Sequence, residues 1–212
     1  MENLKKKIQI ALEAYKSGDL LVAEKLSKKL ILSNPKVVFL YNLLGLISAD
    51  LNKIDQSLKY YEDGIKIDPH DPYLYNNIAI LFFNNMYKNN IKKIEYNYKK
   101  SISLNNNNPE AYNNLANFYK FQNRNNEASQ NYKKAIKINP KFHFALFNLA
   151  SLYVSCGKIN EAKEKLTEVL LIEPNYMHAH RLLSRITNYN KENNHFKVLN
   201  KLYNQMKKKN DY

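Results

Sequence analysis

Four of the chain's six prolines fall on one beat. Pro35, Pro69, Pro140 and Pro174 stand 34, 71 and 34 residues apart, the middle interval being two steps of 34 with three residues added. Proline cannot continue a helix, because it lacks the backbone N–H and its ring collides with the preceding turn. A helix stop at a constant interval near 34 residues means stacked two-helix units. Pro72 and Pro109 each open a unit, three residues beyond Pro69 and Asn106, where proline suits the first helical position. The expected units are residues 4–37, 38–71, 72–108, 109–142 and 143–176, followed by a divergent pair, 177–212, acting as a C-terminal cap. The third unit is 37 residues long, with its extra residues expected in the turn-rich stretch 84–90, and Asn106 stands where its closing proline would be.

Within each unit two apolar patterns of helical period are joined by a polar break. The second unit has Tyr41, Leu44, Gly45 and Ser48, then Asn52-Lys53, then Ser57, Tyr61, Gly64 and Ile65. The fourth repeats this with Tyr112, Leu115, Ala116 and Tyr119, then Asn123, then Ala128, Tyr132, Ala135 and Ile136. Counting places from the start of each unit, the eighth is always small: Ala11, Gly45, Ala79, Ala116, Ala150 and Ser184. Paired helices can approach closely at such a place. The predicted fold class is all-α, an α-solenoid of antiparallel helix pairs with about six repeats.

This pattern resembles the tetratricopeptide repeat over nearly the whole chain. The resemblance implies a right-handed superhelix whose first helices line a concave face, and a protein or peptide as partner. Three units depart from it at the fourth place, where Lys7, Leu146 and His180 replace the expected large aromatic. Phe196 stands in the last unit where a small residue belongs.

The formal charge is +14, which taken alone suggests an anionic partner. Arginine occurs only at Arg124, Arg181 and Arg185, whereas phosphate and base recognition favours the arginine fork. Lysine, asparagine, isoleucine and tyrosine are also the residues that A/T-rich codons inflate together. Both points argue against nucleic acid. The run 37–47 is interrupted by Asn42 and too short to span a bilayer, so no transmembrane segment is expected. A single cysteine, Cys156, excludes an internal disulfide; it reads as a small, half-buried residue, and the expected compartment is the cytoplasm. His178 and His180 point about 200° apart on a helix and cannot share a metal from one face. His70, His143 and His195 read as surface residues without ligand partners. No cofactor, metal site or catalytic constellation is expected, and the chain reads as a non-enzyme.

Places 4, 7, 8 and 11 of each first helix form the core stripe, and places 2, 5, 6, 9, 12 and 13 lie opposite. The opposite stripe supplies the candidate peptide-binding residues: Asn42, Tyr73, Asn76, Asn77, Phe83, Asn113, Asn114, Asn117, Phe144, Phe147, Asn148, Arg181 and Arg185. Asn77, Asn114 and Asn148 share the sixth place in three successive units and are expected to form a ladder. A side-chain amide both donates and accepts, so a row of amides can pair with an extended peptide backbone. The ladder is similar to that of the repeat domain in protein O-linked N-acetylglucosamine transferases. The segment 178–189 in turn resembles the junction joining such repeats to a sulfotransferase domain in bacterial proteins. Two functions stay open: a non-catalytic scaffold holding an extended peptide in its groove, or the substrate-recognition module of a sulfotransferase or glycosyltransferase whose catalytic domain this chain lacks. The oligomeric state is left open by the sequence.

Overall fold

The computed structural model of the chain describes residues 2–85, 90–188 and 194–210. Among the described residues there are twelve helices and no strand. They follow in six successive pairs: α1 (Glu2–Lys16) and α2 (Leu20–Ser33), α3 (Val38–Asp50) and α4 (Ile54–Ile67), α5 (Pro72–Asn84) and α6 (Ile91–Leu104), α7 (Pro109–Phe121) and α8 (Asn125–Ile138), α9 (His143–Ser155) and α10 (Ile159–Ile172), and α11 (Met177–Arg185) and α12 (Asn194–Asn210). The fold class is the all-α solenoid of about six repeats. Part of the stretch expected to hold the third unit's extra residues, 86–89, lies outside the described residues.

The turn inside each pair is built by one device. Gly18, Asn52, Asn123 and Gly157 hold the fifteenth place of four units, and all four adopt positive φ, between 58° and 84°. Glycine and asparagine are the residues that reach this region at least cost. The next residue's N–H then returns to a carbonyl five positions back: Asp19 to Ala14, Lys53 to Ser48, Arg124 to Tyr119 and Lys158 to Tyr153, at 2.8–2.9 Å. This is the Schellman closure, which satisfies carbonyls that the helix end leaves open.

Junctions between pairs use side-chain caps. Asp68 accepts from the His70 N–H, Asn105 from Asn107 and Asn139 from Lys141, each two residues on. The four asparagines 105–108 form an ordered junction of the same kind. Asn105 makes the same turn as its counterparts, and Asn108, 7% exposed, caps α7 by accepting from Glu110 and Ala111. The side-chain turn at Asn105 thus forms without the proline that follows Asp68 and Asn139.

The chain divides into two compact units, Met1–Phe118 and Tyr119–Tyr212. In the first, α2 packs on α3, α4 on α5, and α3 lies beside α5. In the second, α9 packs between α8 and α10, and α10 on α11. Small residues at the eighth place make the close approach: Ala11, Ala79, Ala116 and Ala150 are fully buried. The second helices answer with large rings, Tyr61, Tyr98 and Tyr132, at most 1% exposed. Burial pushes all three phenols well above their ordinary pKa. Gly45 is the extreme case, since a methyl added there would overlap the Tyr61 ring. The Ser57 hydroxyl donates to the Gly45 carbonyl at 2.7 Å, pinning α4 to α3.

The fourth place ties each first helix to the preceding proline. Tyr41 donates to the Pro35 carbonyl at 3.0 Å and Tyr75 to Pro69 at 3.1 Å. His180 makes the equivalent bond from Nε2 to Pro174 at 2.8 Å, so the histidine at this place does the aromatic's work rather than departing from it. In the first pair Lys7 stands at that place, exposed, beside a cleft of about 480 Å³ lined by Leu4, Ile10, Leu26 and Leu30.

Candidate functional site

In residues 1–118 the faces of α3, α5 and α7 opposite the core carry a continuous run of amides. Asn77 donates through Nδ2 to Asn42 Oδ1 at 2.8 Å, Asn76 to Asn77 at 3.3 Å, and Asn114 to Asn76 at 3.3 Å. The run crosses three first helices in one direction, from α7 through α5 to α3. An amide has two N–H groups and two acceptor lone pairs. One of each is enough to sustain the run, and mutual bonding fixes the orientation of what remains. Sequence alignment by place put Asn77 and Asn114 in one row; the structure links them through Asn76 of the fifth place, and Asn42, also of the fifth place, extends the row by one helix. Asn76 and Asn113 are nearly buried, at 9% and 7% exposure, while Asn42, Asn77, Asn114 and Asn117 are half-buried.

Around this run lie aromatic and apolar groups. Phe39 and Tyr73, both of the second place, are 42% and 53% exposed. Phe83 sits edge-on to the buried Phe118, centroids 5.8 Å apart, so it both lines the face and packs α5 against α7. A hollow of about 280 Å³ opens beside Asn77, with Leu46, Ile80 and Asp50 among its walls. Asp50 is held from α1 by the Tyr15 hydroxyl, which donates to it at 2.8 Å. Burial and then this bond to a carboxylate push the Tyr15 phenol up to about 12.

In residues 119–212 the corresponding face has a different character. Phe144 is 48% exposed and meets Phe142 and Tyr176 edge-on; Phe147 meets Tyr176 at 5.4 Å and His178 at 6.2 Å. Asn148 is half-buried beside them on α9. Further along, Lys120 Nζ donates to Ser151 Oγ at 2.9 Å. Burial pushes the Lys120 ammonium below its ordinary pKa. Arg181 and Arg185 are exposed on α11, and Arg181 contacts His178 Nδ1 at 3.3 Å. The Lys120–Ser151 pair spans 31 residues, and only the shared face of the repeat pattern could have signalled it.

Two readings of the sequence are corrected. Cys156, next to the positive-φ Gly157, is exposed rather than half-buried. The His195 region is no bland surface: its Nε2 lies 2.9 Å from Nδ1 of His180, which is 2% exposed. A carbonyl can only accept, so His180 carries its proton on Nε2 toward Pro174 and, when neutral, its Nδ1 accepts from His195. The rings are parallel within 4° with centroids 5.2 Å apart, an edge-to-edge arrangement suited to a linear N–H···N bond. Burial first, then the neighbouring His180, lowers the His195 pKa. Among the described residues no group of three or more His, Cys, Asp or Glu could hold a metal, and no helix is long and apolar enough to cross a membrane.

Comparison with known proteins agrees with the repeat architecture. Residues 40–71, 109–142 and 131–164 each match a tetratricopeptide-repeat family model, and none of the three matches reaches beyond residue 164. No curated protein matches the chain. TTC0263, a thermophilic TPR protein of Thermus thermophilus, superimposes with a TM-score of 0.73 at 15% identity, covering 86% of this chain and 98% of that one. Pseudomonas aeruginosa pilF gives 0.75 at 13% identity, covering 87% and 83%. YrrB, a TPR protein with an unusual peptide-binding site, gives 0.60 at 16% identity, covering 84% and 90%. These likenesses carry the fold. Family matches, helix pairing and the recurring turn together establish that this chain contains tetratricopeptide repeats, a module that generally mediates protein–protein interactions.

Proposed function

We propose that the chain is a non-catalytic interaction scaffold that holds an extended peptide against the first-helix groove. The observation that carries the reading is the amide run Asn114–Asn76–Asn77–Asn42. Peptide groups spaced along an extended chain present alternating donors and acceptors. A row of pre-oriented amides offers the complement without reading side chains, and the hollow beside Asn77 and the rings of Phe39 and Tyr73 add apolar contact. Because the amides hold one another, little side-chain entropy is lost on binding. Asn148, Phe144 and Phe147 extend the same role in residues 119–212. The alternative, a recognition module serving a separate sulfotransferase or glycosyltransferase, rests on the resemblance of segment 178–189 and would use the same groove.

The test is a crosslinking pull-down with the full chain and with the combined variant Asn77→Ala, Asn114→Ala, Asn148→Ala. Each lost hydrogen bond to peptide is worth about 0.5–1.5 kcal/mol. Recovery of the partner should fall by about tenfold or more, and unchanged recovery would contradict the reading.

A further inference from the structure

We infer that the first-helix face of residues 119–188 takes an acidic segment in which an apolar side chain stands about three residues from a carboxylate; this rests on the peptide reading above and specifies the occupant in this part of the groove. The face has two ends. At one, Phe144 and Phe147 belong to an aromatic pile with Tyr176, and Phe144 leaves half its surface open. At the other, the Lys120 ammonium is half-buried and bonded to the neutral Ser151 hydroxyl, and among the described residues no carboxylate pairs with it. A charge withdrawn from water without a counter-charge is costly. The depressed ammonium pKa has that origin.

The sign of the whole face is uniform. The end of α7 from Tyr119, all of α9 and all of α11 contain no aspartate or glutamate, while the acids among the described residues of this unit fall on α8 and α10 or at the junction residue Glu173. Two of the chain's three arginines, Arg181 and Arg185, sit four apart on α11 and so share one side of it. Guanidinium forks bind carboxylates in bidentate fashion. Seven residues of α9 separate Phe144 from Ser151, about 10 Å at 1.5 Å per residue. An extended peptide covers that span with about three residues at about 3.3 Å each. The distance between apolar anchor and carboxylate is thereby set by the helix.

Panning a phage-displayed random dodecapeptide library on the full chain tests this. Enriched peptides should carry Asp or Glu about three positions from Phe, Leu or Trp. Lys120→Met, which keeps the apolar stem, and Arg181→Ala with Arg185→Ala should each lower the preference for acid at least tenfold while leaving helical circular dichroism unchanged; Lys120→Arg should retain it. Enrichment without acidic residues, or an acid preference unaltered in Lys120→Met, would overturn the inference. If enriched peptides are neutral yet depend on Asn77 and Asn114, this inference fails and the scaffold reading stands. Absence of any enrichment would contradict both.

Discussion

At the scale of single residues, the fold depends on positions where only one or two side chains fit. Gly45 has no room for a methyl against Tyr61, and both are buried in the α3–α4 seam. Gly45→Ala should destabilise the chain by about 1–3 kcal/mol, the usual cost of overpacking. Urea unfolding checks this, and a Tyr61→Leu background should recover part of the loss because the two sites share one contact. Asn123 sits at φ 60°. Asn123→Gly should be nearly neutral, whereas Asn123→Ala should cost about 1–2 kcal/mol, because a β-carbon without a compensating polar group is strained there. A thermal melt that ranks the alanine variant with the glycine one would refute the assignment of strain to that turn. Such places were legible from sequence, since glycine and asparagine recur at the fifteenth place for a backbone reason. The role of His180 was legible too, through its six-residue offset from Pro174, the same as Tyr41 from Pro35 and Tyr75 from Pro69. A histidine is a less obvious stand-in for tyrosine, so the signal is easy to pass over.

At the scale of elements, polar side chains set how helices are tied together, and acid should loosen two of the ties. Glu24, 7% exposed on α2, bonds Lys28 at 2.7 Å and Lys53 at 2.9 and 3.0 Å. Those two hydrogen-bonded partners, Lys28 first, hold its carboxyl below the ordinary range. A depressed carboxyl stabilises the fold above its unfolded pKa, and the contribution is lost as pH falls through the folded value. The stability gap between wild type and Glu24→Gln should therefore shrink on going from about pH 6 to about pH 3. The His180–His195 bond joins α11 to α12. His195 has a lowered pKa, so the unfolded chain binds the proton more readily, and the tie should be complete above about pH 6.5 and weaken below it. Hydrogen exchange across α12, corrected for intrinsic rates, should rise on acidification in wild type and stay flat in His195→Phe. Contacts of this kind were not legible from the sequence. Helical periodicity gives the face a residue occupies, but not which rotamer meets which neighbour. For the same reason the amide run goes through Asn76 rather than along one place number.

At the scale of the whole molecule, repetition makes stability a sum of pair and neighbour terms rather than one core. The 34-residue beat made helix pairing and the fold class legible, because a helix stop at fixed intervals admits few architectures. The first-helix stripe was legible, while the amide run in residues 1–118 and the Lys120–Ser151 pair in residues 119–212 were not, since those depend on where the side chains come to rest. The proposed scaffold would bind its partner on the first helices and not on the second ones. Tyr73 on α5 and Tyr96 on α6 are both exposed, at 53% and 62%, and differ chiefly in that respect. Replacing each in turn with a photo-crosslinking phenylalanine analogue and irradiating the full chain with its recovered partner separates the two faces. Crosslinking from position 73 and little from position 96 is the predicted result, and crosslinking from position 96 alone or equally from both would contradict it.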